Sequence, residues 1–119
     1  MTVKQRAQSP GQRAQGVTAT EMLAKVPEKA FLAQVQALAR LNGWRVYHTH
    51  SSMHSAKGFP DLVMVKAGRL VFAELKAQRG QTTREQEDWL AALGDVFPEM
   101  VEVFVWRPGD WDQVTDVLR

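Results

Sequence analysis

No cysteine occurs among the 119 residues. Disulfides, zinc–thiolate sites and thiol catalysis are therefore excluded, and the composition fits a reducing compartment. No apolar run approaches the ~18 residues of a membrane span, and the N-terminus has no signal-like apolar core. The expectation is a soluble, cytoplasmic protein with no membrane partner. Acids are absent from residues 1 to 19, "MTVKQRAQSPGQRAQGVTA", and large apolar side chains nearly so. Such a stretch predicts a flexible basic arm, 1–19, ahead of a single domain, 20–119. There is no internal repeat, and a domain of this size can bury a core without staples.

Acids are also scarce in the middle of the chain. Residues 40 to 84 hold eight Lys/Arg against only Asp61 and Glu74, a local charge of +6. Residues 85 to 118 hold nine acids and one Arg, a local −8. A basic block of this kind suits a polyanion such as nucleic acid, although a solvated surface has the same composition.

The periodicities predict an α/β protein. "TATE" at 18–21 has the pattern of a capping box opening a short helical turn. Pro27 suits the first turn of a helix over about 27 to 42, with Phe31, Val35, Leu38 and Ala39 as its apolar face and "NG" as its stop. "WRVYHTH" (44–50) alternates as a strand does, and a polar loop follows it. Strands are expected at about 60–66 and 69–76, and another at 101–106. Between them a helix runs to about 93, capped either by Thr82 with Glu85 or by Thr83 with Gln86. Asp110 opens a last helix. This order implies a central mixed β-sheet with flanking helices.

"GFPDLVMVKAGRLVFAELK" (58–76) sets Asp61, Glu74 and Lys76 among apolar residues. Two strands joined by so short a loop are antiparallel neighbours. A loop of two residues or of four gives one register, in which Val65 faces Leu70, Val63 faces Phe72 and Asp61 faces Glu74. A loop of three breaks it. Opposed side chains lie about 4.5–5.5 Å apart at Cβ. Two carboxylates that close in an apolar sheet repel one another, and one is protonated unless a cation lies between them. Hard oxygen ligands select Mg²⁺ or Mn²⁺. Lys76, two residues beyond Glu74, projects from the same face and can orient a water or offset phosphate charge.

Pro60-Asp61 followed by Glu74-Leu75-Lys76 resembles the PD-(D/E)XK nuclease superfamily. With "EKAFLAQVQALARLNGW", "TREQEDWLAAL" and "VWRPGDW", the pattern resembles its VRR-NUC branch over about residues 27 to 118. That resemblance implies a restriction-endonuclease-like fold related to Holliday-junction resolvases. It implies metal-dependent hydrolysis of DNA, with branched DNA as a candidate substrate. Asp61 and Glu74 would hold Mg²⁺ or Mn²⁺, with the Leu75 carbonyl as a third protein ligand. It also implies that Glu28, on the apolar side of its helix by spacing, reaches the metal. The other role for Glu28 is a carboxylate at a helix N-terminus. Gln86 matches a glutamine near the family's active site, and its other role is half of the Thr83 capping box. Catalytic roles would fall to Asp61, Glu74, Lys76 and Gln86.

Arg45, Lys57, Arg69, Arg79 and Arg84 are the candidate phosphate contacts. His48, His50 and His54 lack an evident fourth zinc ligand and are placed on or beside a DNA-facing loop. Val96, Phe97 and Met100, with four tryptophans, suggest an apolar interface, and the resolvases pair their subunits, so a homodimer is expected. Two other readings fit the same residues: a non-catalytic nucleic-acid-binding domain, and an RNA-directed nuclease on this scaffold.

Overall fold

A computed structural model describes residues 13–14, 17–50, 56–96 and 98–119. Two residues of the expected arm pair with two others: β1 (Arg13–Ala14) runs antiparallel to β2 (Val17–Thr18). Ala19 begins the first helix, and the remaining arm residues lie outside the described ones. The capping box at 18–21 forms. The Thr18 hydroxyl accepts from the Glu21 N–H at 3.1 Å, and the Glu21 carboxylate accepts from the Thr18 N–H at 3.3 Å. It opens α1 (Ala19–Leu23).

Helix α2 (Glu28–Leu41) follows Pro27 and buries Phe31, Val35 and Ala39. It ends at Asn42, where Gly43 at φ +89° turns the chain and the Trp44 N–H reaches back to the Ala39 carbonyl at 3.0 Å. A left-handed residue here favours glycine because it has no Cβ. Strands β3 (Arg45–His48), β4 (Leu62–Lys66) and β5 (Arg69–Leu75) are antiparallel neighbours. Ala67 and Gly68 make the β4–β5 turn with φ of +49° and +78°. Two positive φ values are those of a type I′ hairpin, whose twist matches its strands. The two-residue loop is thus the one present, and Val63 faces Phe72 and Val65 faces Leu70 as expected.

Helix α3 (Arg84–Gly94) crosses over and returns β6 (Val101–Trp106) parallel to β5. The result is an open, mixed sheet in the order β3-β4-β5-β6. A 3₁₀ turn, Pro108–Asp110, leads into α4 (Trp111–Val117). Asp110 does not cap α4 with its side chain; its carboxylate accepts from the Arg107 N–H at 2.9 Å and closes the 3₁₀ turn.

Alternation sorts the strands onto two faces. Leu62, Met64, Val71, Ala73, Leu75, Phe104 and Trp106 pack under α2, with Val114 and Leu118 completing that core. On the other face Leu90 of α3 packs on Val103 and Val105. The β3–β4 side of that second face is uncovered: Tyr47 is 63% exposed and Val65 44%. No helix among the described residues is long and apolar enough to cross a membrane.

Candidate active site

One row of residues crosses the second face, from its uncovered β3–β4 side to the part beneath α3. Register pairs His48 with Leu62, and the next step is a bond from the Thr49 N–H to the Asp61 carbonyl at 2.8 Å. On the other side Leu62 pairs with Ala73, which leaves Asp61 as the next residue toward Glu74. Glu74 in turn pairs with Val105. Thr49, Asp61, Glu74 and Val105 therefore lie side by side across four chain segments.

Pro60 has no N–H to continue the β4 ladder. Pairing stops at Leu62, and the Asp61 carboxylate accepts the Leu75 N–H at 2.9 Å instead. That bond holds Asp61 against Glu74, which is 2% exposed and the one charged side chain buried among the described residues. Glu74 lies beside Asp61, and its Oε2 is buried without a partner. Burial, then the hydrogen bond to Asp61, then the Asp61 charge push the Glu74 carboxyl up to about 9. Lys76 opposes this and Glu28 adds to it. At neutral pH and without a cation, the pair therefore holds one proton between its two carboxyl groups.

A cleft of about 670 Å³ opens over the pair, between the first turns of α2 and α3. Glu28, Asp61, Glu74 and Gln86 all line it. Glu28 corrects its expected burial: it is exposed, as the first residue of α2 on the cleft wall. Gln86 fills the cap. Its Oε1 accepts the Thr83 N–H at 2.8 Å, and the Thr83 hydroxyl accepts the Gln86 N–H at 3.2 Å. Its carbonyl oxygen is therefore committed, and its amide is the end left to a site role. Thr82, the other candidate cap, bonds Glu87 instead at 2.7 Å. Lys76 lies close enough to lower the Glu74 value but is not part of the cleft lining. Leu75 is buried between them.

The loop 56–59 closes one side of the cleft. Gly58, at φ +89°, sits so tightly on α3 that a Cβ there would lie 2.4 Å from the Glu85 carbonyl carbon. Beside it Phe59 packs edge-on against Phe72 and Trp89, at 6.0 and 5.0 Å between centroids.

The expected phosphate contacts divide. Lys57 lines the cleft. Arg45, Arg79 and Arg84 are exposed outside it, Arg45 on the open sheet face. Arg69 is a correction. Its guanidinium forks onto Glu102 at 2.8 and 2.9 Å, donates to the Val117 carbonyl at 2.9 Å and lies 5.0 Å from the Trp44 ring centroid. It ties β5 to β6 and to the end of α4, on the face away from the cleft. His48 and His50 both line the cleft, with ring centroids 4.9 Å apart, and His54 lies outside the described residues. No group of three or more His, Asp or Glu side chains is drawn together as a metal site among the described residues. Of the interface candidates, Val96 and Met100 are exposed and Phe97 lies outside the described residues.

Two polar side chains on the cleft lining were not singled out from sequence: Lys29, beside Glu28 on the cleft wall, and Thr49. Lys29 carries the signal of a cation in the first helical turn, where it opposes the helix dipole. No protein-family model, curated protein or solved structure matches the chain.

Proposed function

We propose that this protein is a divalent-metal-dependent nuclease of restriction-endonuclease-like fold that hydrolyses phosphodiester bonds in DNA. The observation that carries this reading is the Asp61–Glu74 pair, with a buried Glu74 Oε2 that has no partner, at the floor of an open cleft. Burying two adjacent carboxyl groups is costly unless a cation or a shared proton compensates. A purely structural role would be served more cheaply by the apolar residues that fill the neighbouring rows, such as Val63 and Phe72.

The donor set fits Mg²⁺ or Mn²⁺. Asp61 and Glu74 would hold the ion, with the Leu75 carbonyl as a third protein oxygen and the remaining positions left to water and substrate. When bound, the ion supplies a more acidic water and offsets charge on the phosphate. The chain's own residues do the rest. Asp61 is pre-oriented by the Leu75 N–H. Lys76 brings positive charge to the Glu74 side of the pair, and in this reading it would hold a water or a phosphate oxygen. Glu28 and the Gln86 amide border the space a substrate would enter. The first turns of two helices front the cleft, and helix N-termini favour phosphate. The PD…ELK resemblance supports the same assignment.

The test is a cleavage panel of linear and branched DNA and RNA in Mg²⁺, Mn²⁺ and EDTA. DNA cleavage in a divalent ion is expected, with none in EDTA. Asp61→Ala and Glu74→Ala should abolish it. Lys76→Ala should slow it by roughly 10²–10³-fold, as for one lost transition-state stabiliser. Undiminished cleavage by folded Asp61→Ala protein would remove the assignment, and cleavage of RNA alone would replace DNA as the substrate.

A further inference from the structure

Thr49 carries an observation that the proposed chemistry does not use. Its Oγ1 is buried and has no hydrogen-bond partner; only one other side-chain atom among the described residues, Glu74 Oε2, is in that state. The two residues stand in the same cross-strand row, on either side of Asp61. Adjacent strands lie about 4.8 Å apart, so the hydroxyl is one strand from the carboxylate pair. Thr49 lines the cleft and is itself half-buried. In the free protein this oxygen is buried, and a rotation about χ1 on ligand binding would be needed to turn it toward the cleft.

A hydroxyl shut away from water without a partner destabilises a fold, and valine has the same shape without that cost. The Asp61 carboxylate next to it takes its hydrogen bonds from the Leu75 N–H and from Glu74, not from Thr49. The unused group is thus a neutral donor held beside two carboxyl groups. It suits an acceptor oxygen that arrives with a ligand. Cationic donors would compete with a metal for Asp61 and Glu74; a hydroxyl does not.

We propose that Thr49 is a substrate ligand, its hydroxyl donating to a non-bridging oxygen of the phosphodiester that lies over Asp61 and Glu74. The proposal rests on the nuclease reading and adds a residue on the β3 side of the pair. It predicts that Thr49 positions the phosphate, while Lys76 acts from the opposite side.

Thr49→Val and Thr49→Ser separate this from a structural role. In EDTA, Thr49→Val should melt about 2–6 °C above wild type, because the unpartnered hydroxyl is gone. In Mn²⁺ the same variant should lose about 10–100-fold in kcat/KM, the range for a hydrogen bond to a charged group. Binding of a fluorescent oligonucleotide in Ca²⁺ should weaken in parallel, and Thr49→Ser should recover most of both losses. A Thr49→Val protein that is more stable but cleaves and binds as wild type overturns the proposal. So does a Thr49→Val protein that is less stable in EDTA, since its hydroxyl would then be bonded within the fold. If wild type neither binds nor cleaves nucleic acid, the nuclease reading fails and this proposal with it. If wild type cleaves and only the Thr49 effects are missing, this proposal alone fails.

Discussion

The Glu74 carboxyl, pushed up to about 9, links the site to stability in a definite direction. A folded-state value above the model value of 4.5 means that the native protein holds this proton more tightly than the unfolded chain. The stabilisation is complete below about pH 4.5 and is lost as pH rises toward about 9. The metal-free protein should therefore weaken across this window relative to Glu74→Gln, which keeps a donor to Asp61 and cannot ionise. The difference approaches a limit of about 1.4 kcal/mol per pH unit for one proton. Urea unfolding in EDTA at pH 5, 7 and 9 measures it, and parallel pH profiles for the two proteins would contradict the shared-proton pair. The pairing of Asp61 with Glu74 was legible because a two-residue turn sets the register of both strands. Thr49 was not legible, since the long connection from 49 to 61 carries no turn geometry that places β3. The pairing of Arg69 was not legible for a similar reason: its partner Glu102 lies on β6, whose parallel register depends on a helical crossover.

Among the elements, those with local signals were read well. The boxes at Thr18 and Thr83, the Asn42-Gly43 stop and the 101–106 strand all depend on residues a few positions apart. Ends set by tertiary contacts moved. The 60–66 strand begins at Leu62 because Pro60 cannot pair and Asp61 turns its side chain to the Leu75 N–H. The docking of the 56–59 loop on α3 was equally hidden, because it is a contact between segments almost thirty residues apart. Gly58 makes that contact possible. Gly58→Ala adds a Cβ against the α3 backbone at a positive φ, so the loop must shift. A loss of about 1–3 kcal/mol is expected, with slower cleavage because Phe59 and Lys57 move with the loop. Urea midpoints and single-turnover cleavage measure the two effects; wild-type values for both would show that the loop does not shape the cleft.

Across the whole molecule the basic middle third does not form one patch. Arg69 is spent on Glu102, and Lys66 lies over Trp44 and donates to the Arg119 carbonyl at 3.3 Å. Among the described residues the cleft lining carries Lys29, Lys57, His48 and His50 beside Glu28, Asp61, Glu74 and Glu85. On the proposed function, a cation at Asp61 and Glu74 would offset these carboxylates for an anionic substrate. In this account the ion governs both binding and chemistry, and composition alone pointed to the polyanion without showing that dependence. The four-stranded mixed sheet supports the arrangement by setting the hairpin that carries Asp61 and Glu74 beside a parallel β6, with α2 and α3 opening on the same end.

Calorimetric titration of the protein with Mn²⁺ at pH 7.5, in buffers of different ionisation enthalpy, tests the central claim most directly. If Asp61 and Glu74 hold the ion, binding must displace the proton they share. The account predicts one ion per chain and release of about one proton, with both lost in Glu74→Gln. Absence of Mn²⁺ binding to wild type, or binding without proton release that persists in Glu74→Gln, would contradict it.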